Sequence, residues 1–135
     1  MKLLPLTMLI GAMLLVLAPG ASAATFNVTD MGDPGDGTCD ATCTLRDAIT
    51  AANDAGGADT INVPAGTFTI TGTQLPDAEN FNATGDFDIF TEMTIRGAGM
   101  GSTLIDGNDL NRVLHLRSNA VVTIEDLTIT RGATS

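Results

Sequence analysis

Four aspartates lie close together in one glycine-rich loop near the start of the chain, and they are the first candidates for a functional site. Asp30, Asp33, Asp36 and Asp40 fall within the loop 29–40. Carboxylate and backbone oxygens are the ligands that calcium prefers. Their spacing does not match an EF-hand loop, and no glutamate is placed to bind the ion with both oxygens. We therefore expect an ordinary solvated turn and no cofactor, with a calcium site as the alternative.

A second group of candidates carries positive charge. Arg112, His115 and Arg117 lie within six residues and could form a small cationic patch for acidic sugars. His115 alternates with Leu114 and Leu116, which places it outside the predicted core. We assign no catalytic residue. The acidic residues at the predicted corners, Glu92, Glu125 and Asp126, are interpreted as solvated, and Arg46 is interpreted as structural, paired with an aspartate of the loop before it.

Cys39 and Cys43 are the only cysteines of the chain. In an exported protein such a pair favours a disulfide, which would contribute about 2 kcal/mol by closing a short loop. A zinc site needs about four ligands, and one histidine does not complete a familiar set. A redox role stays open, because Cys43 precedes a helix whose N-terminus would lower the pKa of its thiol.

One helix is predicted directly after the cysteines. Thr44 is a good N-cap, and Asp47 stands three residues later in a weak form of the capping box. One apolar stripe follows at helical spacing, formed by Leu45, Ala48, Ile49 and Ala52. The polar residues Arg46, Asp47, Thr50 and Asn53 fall on the other side, and Gly56-Gly57 ends the helix.

The rest of the chain alternates with period two, which indicates short strands. The predicted strands are 24–28, 60–63, 67–70, 87–90, 93–95, 103–105, 113–116, 121–124 and 127–129. Residues 90–95 align with residues 124–129, each with an acidic corner, and such repeats suggest a β-solenoid. The fold class is therefore all-β, the start of a right-handed parallel β-helix, with an antiparallel sandwich as the alternative.

The predicted helix has a structural role in this predicted fold. The first coil of a solenoid exposes an apolar cross-section and unpaired backbone groups, which an amphipathic helix could cover as an N-terminal cap. Ile124, Leu127 and Ile129 would form an open C-terminal end. Because solenoids need about three repeats, we expect the chain to be truncated or to continue in a longer protein.

The first 23 residues have the pattern of a secretory signal peptide. A single lysine, an apolar run and the small residues before Ala24 make up this pattern, with cleavage expected after Ala23. The alternative is an uncleaved membrane anchor, but the run is shorter than the roughly 20 residues that a span needs. The predicted divisions are 1–23 as signal peptide, 24–58 as the strand, loop and capping helix, and 59–135 as the first coils.

Charge excludes some partners. The whole chain carries a formal net charge of −10, and removing Lys2 makes the mature segment more negative. Nucleic-acid phosphates and anionic lipid surfaces would be repelled. We expect no nucleic acid, no membrane span in the mature chain, and an extracellular polysaccharide as the candidate partner, while the oligomeric state is not predicted.

The residues Cys43-Thr44-Leu45-Arg46-Asp47-Ala48 resemble the Cys-Ser-Leu-Arg-Glu-Ala motif of the CSLREA domain. The flanking segments 35–39, 58–61, 64–68 and 94–99 are similar to that family too, with Thr44 and Asp47 as mild departures. The resemblance implies export in bacteria, a right-handed parallel β-helix of the pectin-lyase-like kind, and often a surface anchor. It implies no defined reaction.

Function is predicted only by class. Pectin-lyase-like enzymes abstract a proton beside a carboxylate with an arginine or lysine base, often aided by calcium. The Asn-Thr-Asp and Gly-His-Gly signatures of polygalacturonase-like relatives are absent from this sequence. We expect a secreted or cell-surface scaffold, noncatalytic, for adhesion or carbohydrate contact. The alternative is the N-terminal part of a polysaccharide lyase or glycoside hydrolase.

Overall fold

The computed structural model describes residues 20–72, 81–110 and 112–134. Within them, one helix and nine strands follow one another along the chain: β1 Thr25–Asn27, α1 Leu45–Ala55, β2 Asp59–Asn62, β3 Gly66–Thr69, β4 Phe87–Ile89, β5 Met93–Arg96, β6 Thr103–Asp106, β7 Leu114–Leu116, β8 Val122–Glu125 and β9 Thr128–Thr130. The strands agree with the predicted ones to within one or two residues at each end. Residues 1–19, most of the predicted signal peptide, lie outside the described residues.

The start of α1 is fixed by a capping box. The Thr44 hydroxyl accepts a hydrogen bond from the backbone N–H of Asp47, and an Asp47 carboxylate oxygen accepts one from the backbone N–H of Thr44. These two bonds satisfy donors that a helix N-terminus otherwise leaves unpaired. At the other end, Gly56 has φ +65°, a conformation that glycine adopts without strain.

The first turn of α1 is buried on its polar side as well as on its apolar side. The apolar stripe of Leu45, Ala48, Ile49 and Ala52 belongs to the hydrophobic core, as expected, and the helix contacts β1, β2 and β4. Arg46 and Asp47, on the polar side, are also buried. Segment 81–86 supplies partners for Arg46, and the acidic loop supplies the Gly37 N–H to Asp47.

All strand pairs between the described residues are parallel, so the antiparallel sandwich is wrong. One sheet has the order β1-β2-β5-β8, a second β3-β6-β9 and a third β4-β7. The chain visits the three sheets in turn as β2, β3 and β4, and repeats that order as β5, β6 and β7. Mostly parallel strands with one short helix are consistent with a parallel β-helix.

Identical or similar side chains stack in register across the sheets. Ile61, Ile95 and Ile124 lie side by side in the first sheet, and Phe68, Ile105 and Ile129 do so in the second. The proposed repeat of residues 90–95 in 124–129 is wrong as a structural register. Met93 lies beside Val122, and β9 instead pairs with β6, because the loops between strands differ in length.

The three residues expected at an open end differ in exposure. Ile124 and Ile129 are exposed, whereas Leu127 is buried. Leu127 packs against Gly97, where an added Cβ would lie 2.7 Å from the Leu127 Cβ. Glycine at position 97 therefore lets the turn after β8 approach the preceding turn closely.

The predicted disulfide between Cys39 and Cys43 is confirmed. Beside it, the backbone N–H groups of Thr29 and Asp30 donate to the Cys43 carbonyl, and the Cys43 N–H donates to the Thr29 hydroxyl. The bond and these contacts tie the residues after β1 to the start of α1. Among the described residues, no helix has the length and apolar character that a membrane crossing requires.

Candidate functional site

A cluster of ionisable side chains forms where β4 and β7 pair. Asp88 and His115 are direct neighbours in the register of these two strands. The His115 Nδ1 lies 2.7 Å from an Asp88 carboxylate oxygen and 3.9 Å from an Asp86 oxygen. Arg112 reaches the same group, with its Nε paired to Asp86 and its Nη2 3.1 Å from the His115 Nδ1. We call these four residues the β4–β7 cluster.

The two carboxylates of this cluster are enclosed, while the two basic side chains reach solvent. Both aspartate side chains are 0% exposed, against 46% for Arg112 and 24% for His115. Burial raises the pKa of the Asp88 carboxyl, and the neighbouring Asp86 charge acts in the same direction. The hydrogen bonds from the Asn82 N–H and from His115 oppose this rise. Asp88 therefore holds its proton more readily than a solvated aspartate does.

One buried carboxylate oxygen of the cluster differs from the others in its hydrogen bonding. Asp86 Oδ1 has no hydrogen-bond partner among the described residues, although Asp86 Oδ2 pairs with Arg112. An unsatisfied buried polar atom costs about 1–3 kcal/mol, and more when it carries charge. An unsatisfied buried atom of this kind lowers the stability of the folded state, and packing alone does not explain its presence.

Arg46 of α1 holds the segment that carries the aspartates. Its Nη2 donates to the Gly85 carbonyl at 2.7 Å, and its Nη1 donates to the carbonyls of Asn82 and Asp86 at 3.3 Å. Its guanidinium also lies 4.7 Å from the centre of the Phe87 ring. The buried ion pair with Asp33, at 2.7 Å, confirms that Arg46 pairs with an aspartate of the preceding loop.

Asn82 connects this segment to both the helix and the cluster. Its side-chain amide donates to the Arg46 carbonyl and to the Thr50 hydroxyl, each at 3.0 Å. Its backbone N–H donates to Asp88 at 3.2 Å. Asn82 has φ +63°, a conformation that asparagine tolerates better than most residues. The helix, segment 81–86 and β4 thus position Asp86 and Asp88.

The arrangement can exchange protons or bind a cation. In the tautomer that donates Nδ1–H to Asp88, the other imidazole nitrogen is an acceptor, which is the arrangement of a general base. Alternatively, the imidazole nitrogen and the carboxylate oxygens are donors suited to a divalent metal ion. The described residues contain one group of three or more such donors within 4.8 Å of one another: Asp86, Asp88 and His115.

The structure does not gather the four loop aspartates into one such group. The Asp33 carboxylate forms an ion pair with Arg46 and accepts a hydrogen bond from the backbone N–H of Thr71. The other three each accept the backbone N–H two residues later, from Gly32, Thr38 and Thr42. These are local turn contacts. Calcium binding by Asp30, Asp33, Asp36 and Asp40 stays a prediction.

Of the predicted basic patch, Arg112 and His115 contact each other, but both are paired with aspartates. Arg112 and His115 contact each other and the two buried aspartates, so little of their positive charge is unopposed. Arg117 follows β7, with its guanidinium 6.0 Å from the centre of the Phe90 ring. Of the corner residues, Glu92 and Asp126 are exposed, and Glu125 pairs with Arg96 at 2.8 Å.

Sequence reasoning missed Asp86, Asp88 and Asn82. The alternation of 87–90 and 113–116 placed both strands, and the pairing of those two strands is the signal that would have joined Asp88 to His115. That pairing was not predicted, because residues 90–95 were aligned with 124–129 instead. Asn82 lies in a segment without periodicity, and no local pattern indicates its role.

The comparisons with known proteins agree with this fold. The family model for rhamnogalacturonase A/epimerase, pectate lyase-like proteins matches residues 25–134. The chain belongs to this pectate lyase-like family. The match spans all nine strands and the helix.

Among curated proteins, this pectate lyase-like chain is similar to mannuronan C5-epimerases of Azotobacter vinelandii. It is 41% identical to AlgE3 over 80 residues, which are 59% of this chain and 4% of AlgE3. It is 40% identical to AlgE5 over 87 residues, 62% of this chain and 8% of AlgE5. The chain thus spans less than a tenth of these relatives. No solved structure matches it significantly.

Proposed function

We propose that this chain is an exported β-helix module that contacts an acidic extracellular polysaccharide. The similarity to mannuronan C5-epimerases carries the proposal, because those relatives are named for a polymer of uronate units. The basic side chain of Arg117, directly after β7, supports it, because a guanidinium group binds carboxylates in two-pronged geometry, whereas Arg112 is already paired with Asp86.

The proposal includes a closed, right-handed coil with α1 as its N-terminal cap. The regular return of the chain to the same three sheets supports closure, and the buried contacts of α1 with β1, β2 and β4 support the cap. The CSLREA-like residues 43–48 form the start of that helix, where the capping box and the disulfide meet. Residues 24–58 would then form the capping region and 59–135 the coils.

Export is the second part of the proposal. A disulfide persists in oxidising compartments, and the Cys39–Cys43 bond fits such a compartment. Signal-peptide cleavage after Ala23 would deliver a bacterial protein to the cell surface or the medium. Mass spectrometry of the exported protein should give an N-terminus at Ala24; retention of residues 1–23 would contradict cleavage.

A noncatalytic scaffold and part of an enzyme remain two different functions for the same fold. The scaffold is our first proposal for this chain. The Asp88–His115 contact favours the second, the N-terminal part of a polysaccharide-modifying enzyme, because a positioned imidazole can move a proton beside a carboxylate.

Binding measurements on the full chain test the proposal. Mannuronan and polygalacturonate should bind in calorimetric titrations at physiological salt, where the Debye length of about 8 Å screens the net charge of −10. A neutral glucan is the matched control ligand. Arg117→Gln should weaken uronate binding, whereas Arg96→Gln, which removes an exposed cation of another sheet, should not.

The same mixtures separate the two functions. Unsaturated uronate products, seen by ultraviolet absorbance, or inversion at C5, seen by NMR of the polymer, would establish an enzyme. Binding without either change supports the scaffold. Equal binding of the neutral glucan, or no binding of either uronan, would refute the polysaccharide proposal.

A further inference from the structure

We propose that Asp86, Asp88 and His115 form a binding site for a divalent transition-metal ion of the zinc class. This inference is independent of polysaccharide binding. It concerns the β4–β7 cluster, whose three donors come from the end of segment 81–86 and from two paired strands.

The donor separations fit a small metal ion. Bonds of about 2.0–2.1 Å in a tetrahedral site place neighbouring ligand atoms roughly 3.3 Å apart. In the structure, the His115 Nδ1 lies 2.7 Å from Asp88 Oδ1 and 3.9 Å from Asp86 Oδ2. The required distance falls between these two values, and all three donor atoms lie within 4.8 Å of one another, so small side-chain movements would bring them to metal-binding distances.

The chemistry of the donors selects the ion. One imidazole nitrogen and two carboxylate oxygens suit zinc and its neighbours in the first transition row. Calcium takes six to eight oxygen ligands, and the cluster offers a nitrogen and far fewer oxygens. Three protein ligands leave a coordination position for water or a substrate.

The unpartnered oxygen is independent support for a cation. Asp86 Oδ1 is fully buried and accepts no hydrogen bond from the described residues. A divalent ion held by the Asp86 carboxylate would offset the cost of burying this oxygen. Arg112 now pairs with the other oxygen, but its side chain is 46% exposed and can move outward as the ion enters.

Zinc titration of the tag-free full chain tests the site. His115 is the only histidine and both cysteines form the disulfide, so an imidazole signal identifies one residue and no thiolate competes. We expect one saturable zinc ion per chain by calorimetry and a change in the His115 ring nitrogen shifts by NMR. An unchanged His115 signal, or no saturable binding, would overturn the proposal.

Substitutions distinguish zinc binding at the cluster from zinc binding at other carboxylates. His115→Gln and Asp88→Asn should each weaken zinc binding by at least about tenfold, and Asp54→Asn, at an exposed aspartate of α1, should not. Arg112→Gln should bind zinc at least as tightly as the wild type, because it removes the competing cation. Circular dichroism checks folding, and the wild-type NMR measurement decides the question if a variant unfolds.

Three further results would also overturn the proposal. Zinc binding of equal strength in a folded His115→Gln variant would place the ion elsewhere. Loss of binding in a folded Arg112→Gln variant would mean that Arg112 is required rather than displaced. Tighter binding of calcium than of zinc would refute the proposed class of ion.

Discussion

Arg46 is the residue on which most of the polar interior depends. It is buried, yet it carries a permanent charge and joins three parts of the chain: Asp33 in the acidic loop, the carbonyls of segment 81–86, and the face of the Phe87 ring. A buried charge is tolerated only when such partners replace water.

Replacing Arg46 with methionine should therefore be severely destabilising. We expect Arg46→Met to lower the free energy of unfolding by about 3–5 kcal/mol, because Asp33 would stay buried without its cation. Urea unfolding followed by circular dichroism measures the loss. Arg96→Met is the matched control: its ion pair with Glu125 is half exposed and should contribute at most about 1 kcal/mol. Equal losses in the two variants would contradict this account.

The Asp106–Arg131 pair predicts a dependence on pH. Two hydrogen bonds from Arg131, at 2.8 and 2.7 Å, lower the pKa of the Asp106 carboxyl below its ordinary value of 3.8, and the Asn108 N–H lowers it further. A carboxyl with a lowered pKa in the folded state stabilises the protein above its unfolded pKa. That stabilisation is lost as the pH falls through the folded pKa.

Asp106→Asn should therefore cost stability at neutral pH and progressively less as the pH falls below 3.8. Urea unfolding of wild type and variant at a series of pH values measures the difference. Arg131→Met should show the same trend, since it removes the other partner. A difference that stays constant or grows in acid would refute the role of this pair.

At the scale of elements, the acidic loop and the start of α1 are packed as one unit. The Asp47 carboxylate binds the Thr44 N–H on one side and the Gly37 N–H, at 2.7 Å, on the other. Gly35 lies so close that an added Cβ would be 1.9 Å from an Asp47 oxygen. The loop can approach the helix only because position 35 has no side chain.

Gly35→Ala should disturb this contact. We expect a loss of about 1–3 kcal/mol in the free energy of unfolding, because either the loop or the Asp47 side chain must move. Gly101→Ala is the control, since a Cβ there meets no atom within 4 Å and no positive φ is involved. Thermal unfolding of both variants measures the difference, and a neutral Gly35→Ala would show that the loop adapts without cost.

The elements themselves were predictable because each has a local cause. The strands alternate and are separated by turn residues, and the helix has its cap, stripe and terminal glycines within positions 44–57. The burial of Arg46 and Asp47 was not predictable in this way. The partners of Arg46 in segment 81–86 are more than 30 residues away and follow no period, and Asp47 is covered by the irregular acidic loop through the Gly37 N–H.

At the scale of the whole molecule, stacked side chains in register join the three sheets into one core. Ile95 is completely buried between Ile61 and Ile124, while Ile124, on β8 at the edge of the same sheet, is 39% exposed. The same side chain therefore occurs at two levels of burial within one stack.

This stack gives an internal comparison. Ile95→Ala should lower the free energy of unfolding by about 2–5 kcal/mol, because it leaves a cavity between two rungs. Ile124→Ala should cost less than ~2 kcal/mol, because part of that side chain already contacts water. Chemical denaturation of the two variants decides between this order and equal costs, which would contradict the stacked core.

Only part of the candidate site was predictable from the sequence. His115, Arg112 and Arg117 were found because they lie close together in the chain. Asp86 and Asp88 were not, since they reach His115 only through the register of β4 with β7. The register depends on the lengths of the loops between strands, and these lengths differ between successive passages of the chain through the three sheets.

The order of strands has a consequence for how the protein is made. In the first sheet the spatial order β1-β2-β5-β8 is also the order of synthesis, and β3-β6-β9 shows the same agreement. Each new strand is added to an edge left by an earlier one, and none must be inserted between two strands already paired. The N-terminal strands can therefore pair before the C-terminal strands are available, and the sheets can grow from that end.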